Sequence, residues 1–265
     1  MNVKDRVVLI TGSSSGIGWE TALAFAERGS LLAIAARSLN KLNELSELIR
    51  GKGGTCFIVP VDVTDSESVA SMANKVLKHY GRIDVLVNNA GFGVYAPILE
   101  ADMKDIQDMM DVNYLGVVRC IQAIVPHMVG QKMGHVVNVA SMAGFVAAPT
   151  HGGYAATKFA VIGLSEALRE EVREYGIKVT TINPGPVDTP FFEKAYSEPI
   201  PKVAKRFMRK PEEVAQAIVR AVEEEIPQVM VPAGMAPIVK FKALMPTLFA
   251  RGTGRLYRME KKQPD

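Results

Sequence analysis

"RVVLITGSSSGIG" (6–18) runs from apolar residues straight into a turn with glycines at 12, 16 and 18. Val, Leu and Ile without polar alternation read as a strand buried on both faces. The pattern from residue 16 onward reads as a helix. A strand that turns through glycines into a helix aims free N–H groups and the positive end of the helix dipole at whatever lies outside. Glycine also lets a ligand come close to the backbone. A pyrophosphate fits both properties. The spacing here is G-x-x-x-G-x-G, not the G-x-G-x-x-G of the common dinucleotide turn.

The alternation begun there continues along the chain. "SLLAIAA" (30–36), "TCFIVPV" (55–61), "IDVLVNN" (83–89), "GHVVNVA" (134–140), "IKVTTIN" (177–183) and "QVMVP" (228–232) read as further strands. Helical patterns fall at 16–28, 38–50, 65–80, 102–129, 154–175 and 211–225. "TDSE" (64–67) has the form of a capping box for the third helix. "YG" at 80–81 and 175–176 offers glycine stops. Strands alternating with helices predict an α/β fold: a Rossmann-like, doubly wound parallel sheet of about seven strands with helices on both faces. One domain over 1–232 is expected, followed by a basic, apolar extension over 233–265.

Composition sets outer limits. The chain of 265 residues is 48% hydrophobic and 22% charged, ordinary for a water-soluble protein with a large core. No uninterrupted apolar run reaches the ~18 residues of a spanning helix. "MNVKDRVVLITG" enters a strand without a signal-peptide h-region. Cys56 and Cys120 lie in apolar segments and lack CxxC spacing, which suits reduced thiols in the cytoplasm. The four histidines have no metal-ligand spacing, so no metal is expected. Net charge is +3, but residues 199–265 hold 13 Lys+Arg against 7 Asp+Glu.

The strand ends carry the chemistry. In an open α/β sheet, ligands bind beyond the carboxyl ends of the strands. The second strand ends in "AIAARS" (33–38), with Arg37 and no acid before Glu44. An acid there would receive a ribose hydroxyl, whereas Arg accommodates a 2′-phosphate, so NADP(H) is expected over NAD. Asp62 ends the third strand, "NNAG" (88–91) the fourth, "VNVAS" (137–141) the fifth with Ser141 at its tip, and "NPG" (183–185) the sixth. Asn113 sits mid-helix, where it is a poor helix former without a capping role. "GGYAATKFA" (152–160) puts Tyr154 and Lys158 at i, i+4, about 5–6 Å apart at Cβ. A cation so near a phenol is expected to lower its pKa from about 10.

Gly12-x-Ser14-x-Gly16 also fits the nucleophile elbow of a serine hydrolase. "HGG" (151–153) imitates its oxyanion loop. That loop would have to precede the serine, and no strand precedes the one leading to Ser14, so the order excludes this reading.

"TGSSSGIG", "NNAG", Asn113, Ser141 and "YAATK", in that order and at those intervals, resemble the short-chain dehydrogenase/reductase family in its short single-domain branch. "DV" (62–63) and "NPG" match as well, and the resemblance covers residues 5 to about 190. It implies an oxidoreductase that exchanges hydride between a nicotinamide and a carbonyl or secondary alcohol. By position, Tyr154 would be the general acid/base and Lys158 would hold the nicotinamide ribose. Ser141 would bond the substrate oxygen, and Asn113 would support a water chain to Lys158. Gly12, Ser14, Ser15, Gly16, Ile17, Gly18, Arg37, Asp62, Val63, Asn89, Ala90, Gly91, Pro184, Gly185, Val187 and Thr189 would line the cofactor, together with Tyr154 and Lys158. A homodimer or homotetramer is implied. A non-catalytic NADP-binding regulator or scaffold on the same fold is the other functional class.

Two later segments stand apart. Residues 186–211 hold five prolines and read as a substrate loop or lid, with "TPFF" (189–192) as apolar wall. The C-terminal extension replaces the glycine-rich end of many short members. It resembles the tails of relatives that reduce lipid ketones, which points to a hydrophobic ketone or 3-oxoacyl-type substrate. Its mixture of cations and large apolar residues fits either a tail packed on its own domain or on a second subunit, or a short helix at a membrane surface. Nucleic acid is excluded as a partner, since no recognition motif accompanies the charge.

Overall fold

The apolar runs pair into one sheet because each is too hydrophobic to face water on either side. The structure, a computed structural model, describes residues 1–195 and 207–260, and their side chains except at 193, 194 and 254–260. Seven parallel strands lie in the order β3-β2-β1-β4-β5-β6-β7. They are β1 (Val7–Thr11), β2 (Leu31–Ala36), β3 (Thr55–Pro60), β4 (Val85–Asn88), β5 (Gly134–Val139), β6 (Ile177–Pro184) and β7 (Gln228–Val231). Every residue of the central strands β1, β4 and β5 is buried, whereas the edge strands β3 and β7 alternate with exposed positions. The order reverses between β1 and β4, and a crevice opens there at the carboxyl ends.

Helices cover both faces. α1 (Gly16–Glu27), α2 (Leu39–Gly51) and α7 (Pro211–Glu223) bury Phe25, Leu45 and Val219 on one side. α3 (Ser66–Tyr80), α4 (Met103–Gln131) and α5 (Gly152–Glu171) bury Met72, Ile124 and Val161 on the other. α4 has 29 residues and is apolar enough to cross a bilayer by composition, yet Cys120, Ile124 and Met128 are buried against the sheet. The short helix α6 (Pro190–Ala195) follows β6. Residues 196–206 of the expected lid lie outside the described residues. Its two ends meet: Asp188 N–H donates to the Arg209 carbonyl at 2.8 Å, and Arg209 N–H to that of Pro186 at 2.9 Å.

Three local expectations need correction. α3 is capped by Asp65, whose carboxylate accepts from Glu67 N–H at 2.9 Å. Thr64 does not form the capping box, because its hydroxyl donates to Asp62 Oδ1 at 2.8 Å. α5 begins two residues before Tyr154 and ends at Glu171. Gly176, at φ 73°, closes a separate 3-10 turn over Arg173–Tyr175. Asp111–Leu115 in α4 is a π-helical turn, which no local residue pattern announced. Gly81 ends α3 in the left-handed conformation, as its "YG" signal predicts.

The extension forms α8 (Ala236–Leu244) and α9 (Pro246–Glu260). No residue of α8 is buried. It is tied to the domain by Lys242, which donates to the Phe145 carbonyl and lies 5.2 Å from the Phe159 ring centroid.

A buried polar chain pins α5 to the sheet. Asn88 Nδ2 donates to Asn138 Oδ1 at 2.8 Å, Asn138 Nδ2 to Ser165 Oγ at 2.8 Å, and Ser165 Oγ to the Val161 carbonyl at 2.6 Å. Removing the middle member strands the buried Asn88 amide, worth about 1–3 kcal/mol, while Ser165 keeps its bond to the Val161 carbonyl. Asn138→Ala is therefore expected to lower the urea-unfolding free energy by about 1–3 kcal/mol. A loss below about 0.5 kcal/mol, the range of an ordinary surface change, would remove this chain as the anchor.

Candidate active site

The glycine turn is held from behind by Asn89. Its side-chain amide donates to the carbonyls of Thr11 at 3.0 Å and Gly12 at 3.1 Å. Thr11 Oγ1 in turn accepts from the N–H groups of Asn89 at 3.1 Å and Ala90 at 3.2 Å. Such close packing demands glycine. Gly12 adopts φ 67°, and a Cβ there would lie 2.7 Å from the Ala90 Cα. A Cβ on Gly18 would overlap the Gly12 carbonyl and the Asn89 amide. Ser15 precedes α1 without capping it through its side chain, so the helix start keeps free N–H groups. These residues fit the diphosphate of a nicotinamide dinucleotide.

That helix start opens on a cavity of about 750 Å³ along the carboxyl ends of the strands. Its wall includes Gly12, Ser14, Ser15, Gly16, Ile17, Arg37, Asp62, Val63, Asn89, Ala90 and Gly91 from the first half of the sheet. Ser141, Tyr154, Lys158, Pro184, Gly185, Val187 and Thr189 come from the second half. Of the residues expected from sequence, only Gly18 and Asn113 are not on the wall. Gly18 is buried in α1 behind the turn. Arg37 is exposed at the end of β2, between Ala36 and Ser38, with no acid beside it on that strand end. Asp62 is held below the usual carboxylate range, chiefly by the Thr64 N–H.

Asn113 works from outside the cavity. Its Oδ1 accepts from Phe92 N–H at 2.9 Å, and its Nδ2 donates to the Phe92 carbonyl at 2.8 Å and to Thr157 Oγ1 at 3.2 Å. The π-helical turn over Asp111–Leu115 carries it into this position. One side chain thus ties the loop after β4 to α5.

Tyr154 lies in the first turn of α5, buried against Tyr95 and Phe191, each with ring centroids 5.6 Å from its own. Ser141 sits at the tip of β5, where its Oγ accepts from Ala143 N–H at 3.1 Å and bonds the Tyr154 phenol. Lys158 is buried one turn along α5. Its Nζ donates to the Val139 carbonyl at 2.9 Å and lies 5.7 Å from the Tyr154 ring centroid.

The phenol's pKa runs against the sequence expectation. Burial pushes Tyr154 up to about 12, and the Ser141 hydrogen bond draws it only partly back. Burial also pushes Lys158 down to about 8. Both groups have lost water, which opposes charge on each of them. Tyr154 is accordingly held protonated.

The sequence reading missed the far wall. Tyr95 stacks on His151 with centroids 3.9 Å apart, and Val146, Phe207 and Ile238 complete an apolar surface. Tyr95 follows the "NNAG" turn in "FGVY", and that aromatic pair was a usable signal. Ile238 comes from α8, far away in sequence, and nothing local marks it.

A family model described as short chain dehydrogenase matches residues 6–199. The 3-oxoacyl-(acyl-carrier-protein) reductase FabG of Thermotoga maritima is 35% identical over 229 residues, 85% of this chain and 93% of its own. Among solved structures, a short-chain dehydrogenase/reductase of Burkholderia phymatum in complex with NAD matches with TM-score 0.84 and 26% identity. That match covers 94% of this chain and 96% of the other. An alcohol dehydrogenase of the archaeon Thermococcus sibiricus complexed with 5-hydroxy-NADP matches with TM-score 0.76 and 30% identity, over 85% and 95%. With the family model spanning six of the seven strands and full-length relatives agreeing in sequence and shape, the chain belongs to the short-chain dehydrogenase/reductase family.

Proposed function

We propose that the protein is an NADPH-preferring reductase of apolar ketones or 3-oxoacyl compounds, and that it oxidises the matching secondary alcohols in reverse. One observation carries this reading: a buried phenol, a serine hydroxyl and a buried lysine converge on the cavity that the glycine turn opens. The bound nicotinamide supplies hydride. Tyr154 donates the phenolic proton to the carbonyl oxygen as negative charge develops there. Ser141 donates a hydrogen bond to that oxygen. Lys158 holds a ribose hydroxyl and returns the proton to Tyr154, and Asn113 keeps α5 and the loop after β4 in register for that relay. The apolar wall of Phe191, Phe192 and Ile238 favours a hydrophobic substrate. The protein is a homodimer or homotetramer of the cytoplasm in this reading. Exposed Leu115 on α4 supports contact between copies there.

Tyr154→Phe keeps the ring and removes the proton. It is expected to lower kcat at least ~100-fold while leaving NADPH affinity within twofold. Activity within tenfold of the parent would transfer the proton to another group and favour a non-catalytic NADP-binding role for Tyr154.

Arg37 and the missing acid support the phosphate-bearing cofactor. A charge-assisted bond to the 2′-phosphate corresponds to roughly 10–100-fold in kcat/KM for NADPH over NADH. Ala36→Asp with Arg37→Ala is expected to invert the ratio. Equal values for the two cofactors in the parent would sink the assignment.

Lys158 also sets a pH signature. Its folded pKa of about 8 lies below the ordinary value of 10.5, so the unfolded chain binds the proton more tightly between these values. Stability is therefore lost as pH falls from 10.5 to 8, and the full penalty, about 3 kcal/mol, persists below 8. Lys158→Met is expected to unfold at higher urea than the parent at pH 7, with the gap closing near pH 10.5. A variant less stable than the parent at pH 7 would contradict this.

A further inference from the structure

α8 is built the wrong way round for a helix that belongs to its own core. A surface helix normally turns its apolar stripe inward. Here Ile238, Phe241, Leu244 and Met245 fall within about a third of the helix circumference at ~100° per residue. With Leu248 across the turn at Pro246, they are between 41% and 79% exposed. The opposite side carries Val239 and Ala243, and Lys242 flanks the apolar face next to Ile238. Lys242 reaches inward to the Phe145 carbonyl and the Phe159 ring and tethers that edge of the helix to the domain, leaving the apolar face exposed. A contiguous exposed apolar face of this size on a helix with no buried residue marks a binding surface.

Charge identifies the partner. From residue 233 to 259 the chain has five Lys/Arg and no Asp/Glu. Lys240 and Arg251 are exposed beside the apolar face. A two-fold contact between copies would set this cationic segment against itself, with no acid of its own to answer it. An anionic lipid surface answers both features, taking the apolar side chains below the headgroups and the cations among them.

The surface borders the cavity mouth. Ile238 and Thr253 stand on the cavity wall. On the other side of the mouth, Ile98, Leu99 and Met103 are 64%, 96% and 62% exposed. Ile98 lies beside Gly152, next to His151 on the wall.

We propose that α8 and the start of α9 dock the protein on an anionic membrane surface, with the cavity mouth turned toward the lipid. Delivery of substrate from the bilayer rests on the apolar-ketone reading above; the docking itself does not.

The test is flotation of the full chain with vesicles of phosphatidylcholine, alone or mixed with phosphatidylglycerol. At low salt the parent is expected to float with the mixed vesicles and remain below with phosphatidylcholine alone. Lys240→Glu and Arg251→Glu are each expected to reduce the bound fraction about fivefold, and high salt to act likewise. Phe241→Asp with Leu244→Asp is expected to abolish flotation while NADPH affinity stays within twofold, which shows that the variant is folded. A parent that never floats with the mixed vesicles overturns the proposal, as does an aspartate variant that floats like the parent. So does a variant whose only change is a lower sedimenting mass, because the face would then join two copies. Flotation without ketone reductase activity would leave the docking standing and remove the substrate reading alone.

Discussion

The Asn89 amide, bonded to the carbonyls of Thr11 and Gly12, is the constraint on which the site depends. It holds the end of β1 against the end of β4 at the point where the strand order reverses. Gly18 has no side chain because that space is filled by this amide and the Gly12 carbonyl. The knot draws the start of α1 close to the sheet and leaves its N–H groups facing the cavity. A nicotinamide dinucleotide therefore meets a diphosphate cradle that exists before it arrives. Asn89 lines the cavity, as expected, but its side chain is spent on shaping the turn.

The second half of the site is set by a different force. Tyr154 and Lys158 are buried together against Tyr95, Phe191 and the tip of β5. Losing water opposes charge on either group, which keeps the proton on the phenol and weakens the lysine's hold on its own. A phenol so held suits the proton donation proposed for it. The sheet supports this arrangement at a distance. The chain from Asn88 through Asn138 to Ser165 locks α5, and Asn113 locks its first turns to the loop after β4.

Much of this was legible in the residues themselves. Unbroken apolar runs gave the seven strands, because a strand covered on both faces has no polar side to show. The strand ends gave the cavity wall, because parallel strands bring all their carboxyl ends to one edge. What escaped was set by distant contacts. The π-helical turn at Asn113 depends on bonds to Phe92 and Thr157, neither of them a near neighbour in sequence. The Tyr154 pKa depends on burial beneath Phe191, while the i, i+4 spacing spoke only for the lysine. Ile238 reaches the wall from α8, about fifty residues beyond the nearest strand end that lines it. Thr64 looked like a cap because its spacing to Glu67 was right, yet Asp65 stood closer to the free N–H.

The pairing of Asp188 with Arg209 closes the base of the segment that follows β6. The two ends of that segment are therefore fixed at adjacent points. Lengthening such a segment costs only about 0.6 kcal/mol of closure entropy per doubling. The sheet lies outside that segment, whereas Phe191 and Thr189 within it reach Tyr154 and Gly16. A lineage can therefore change the length of this segment by insertion and deletion while its two ends stay joined.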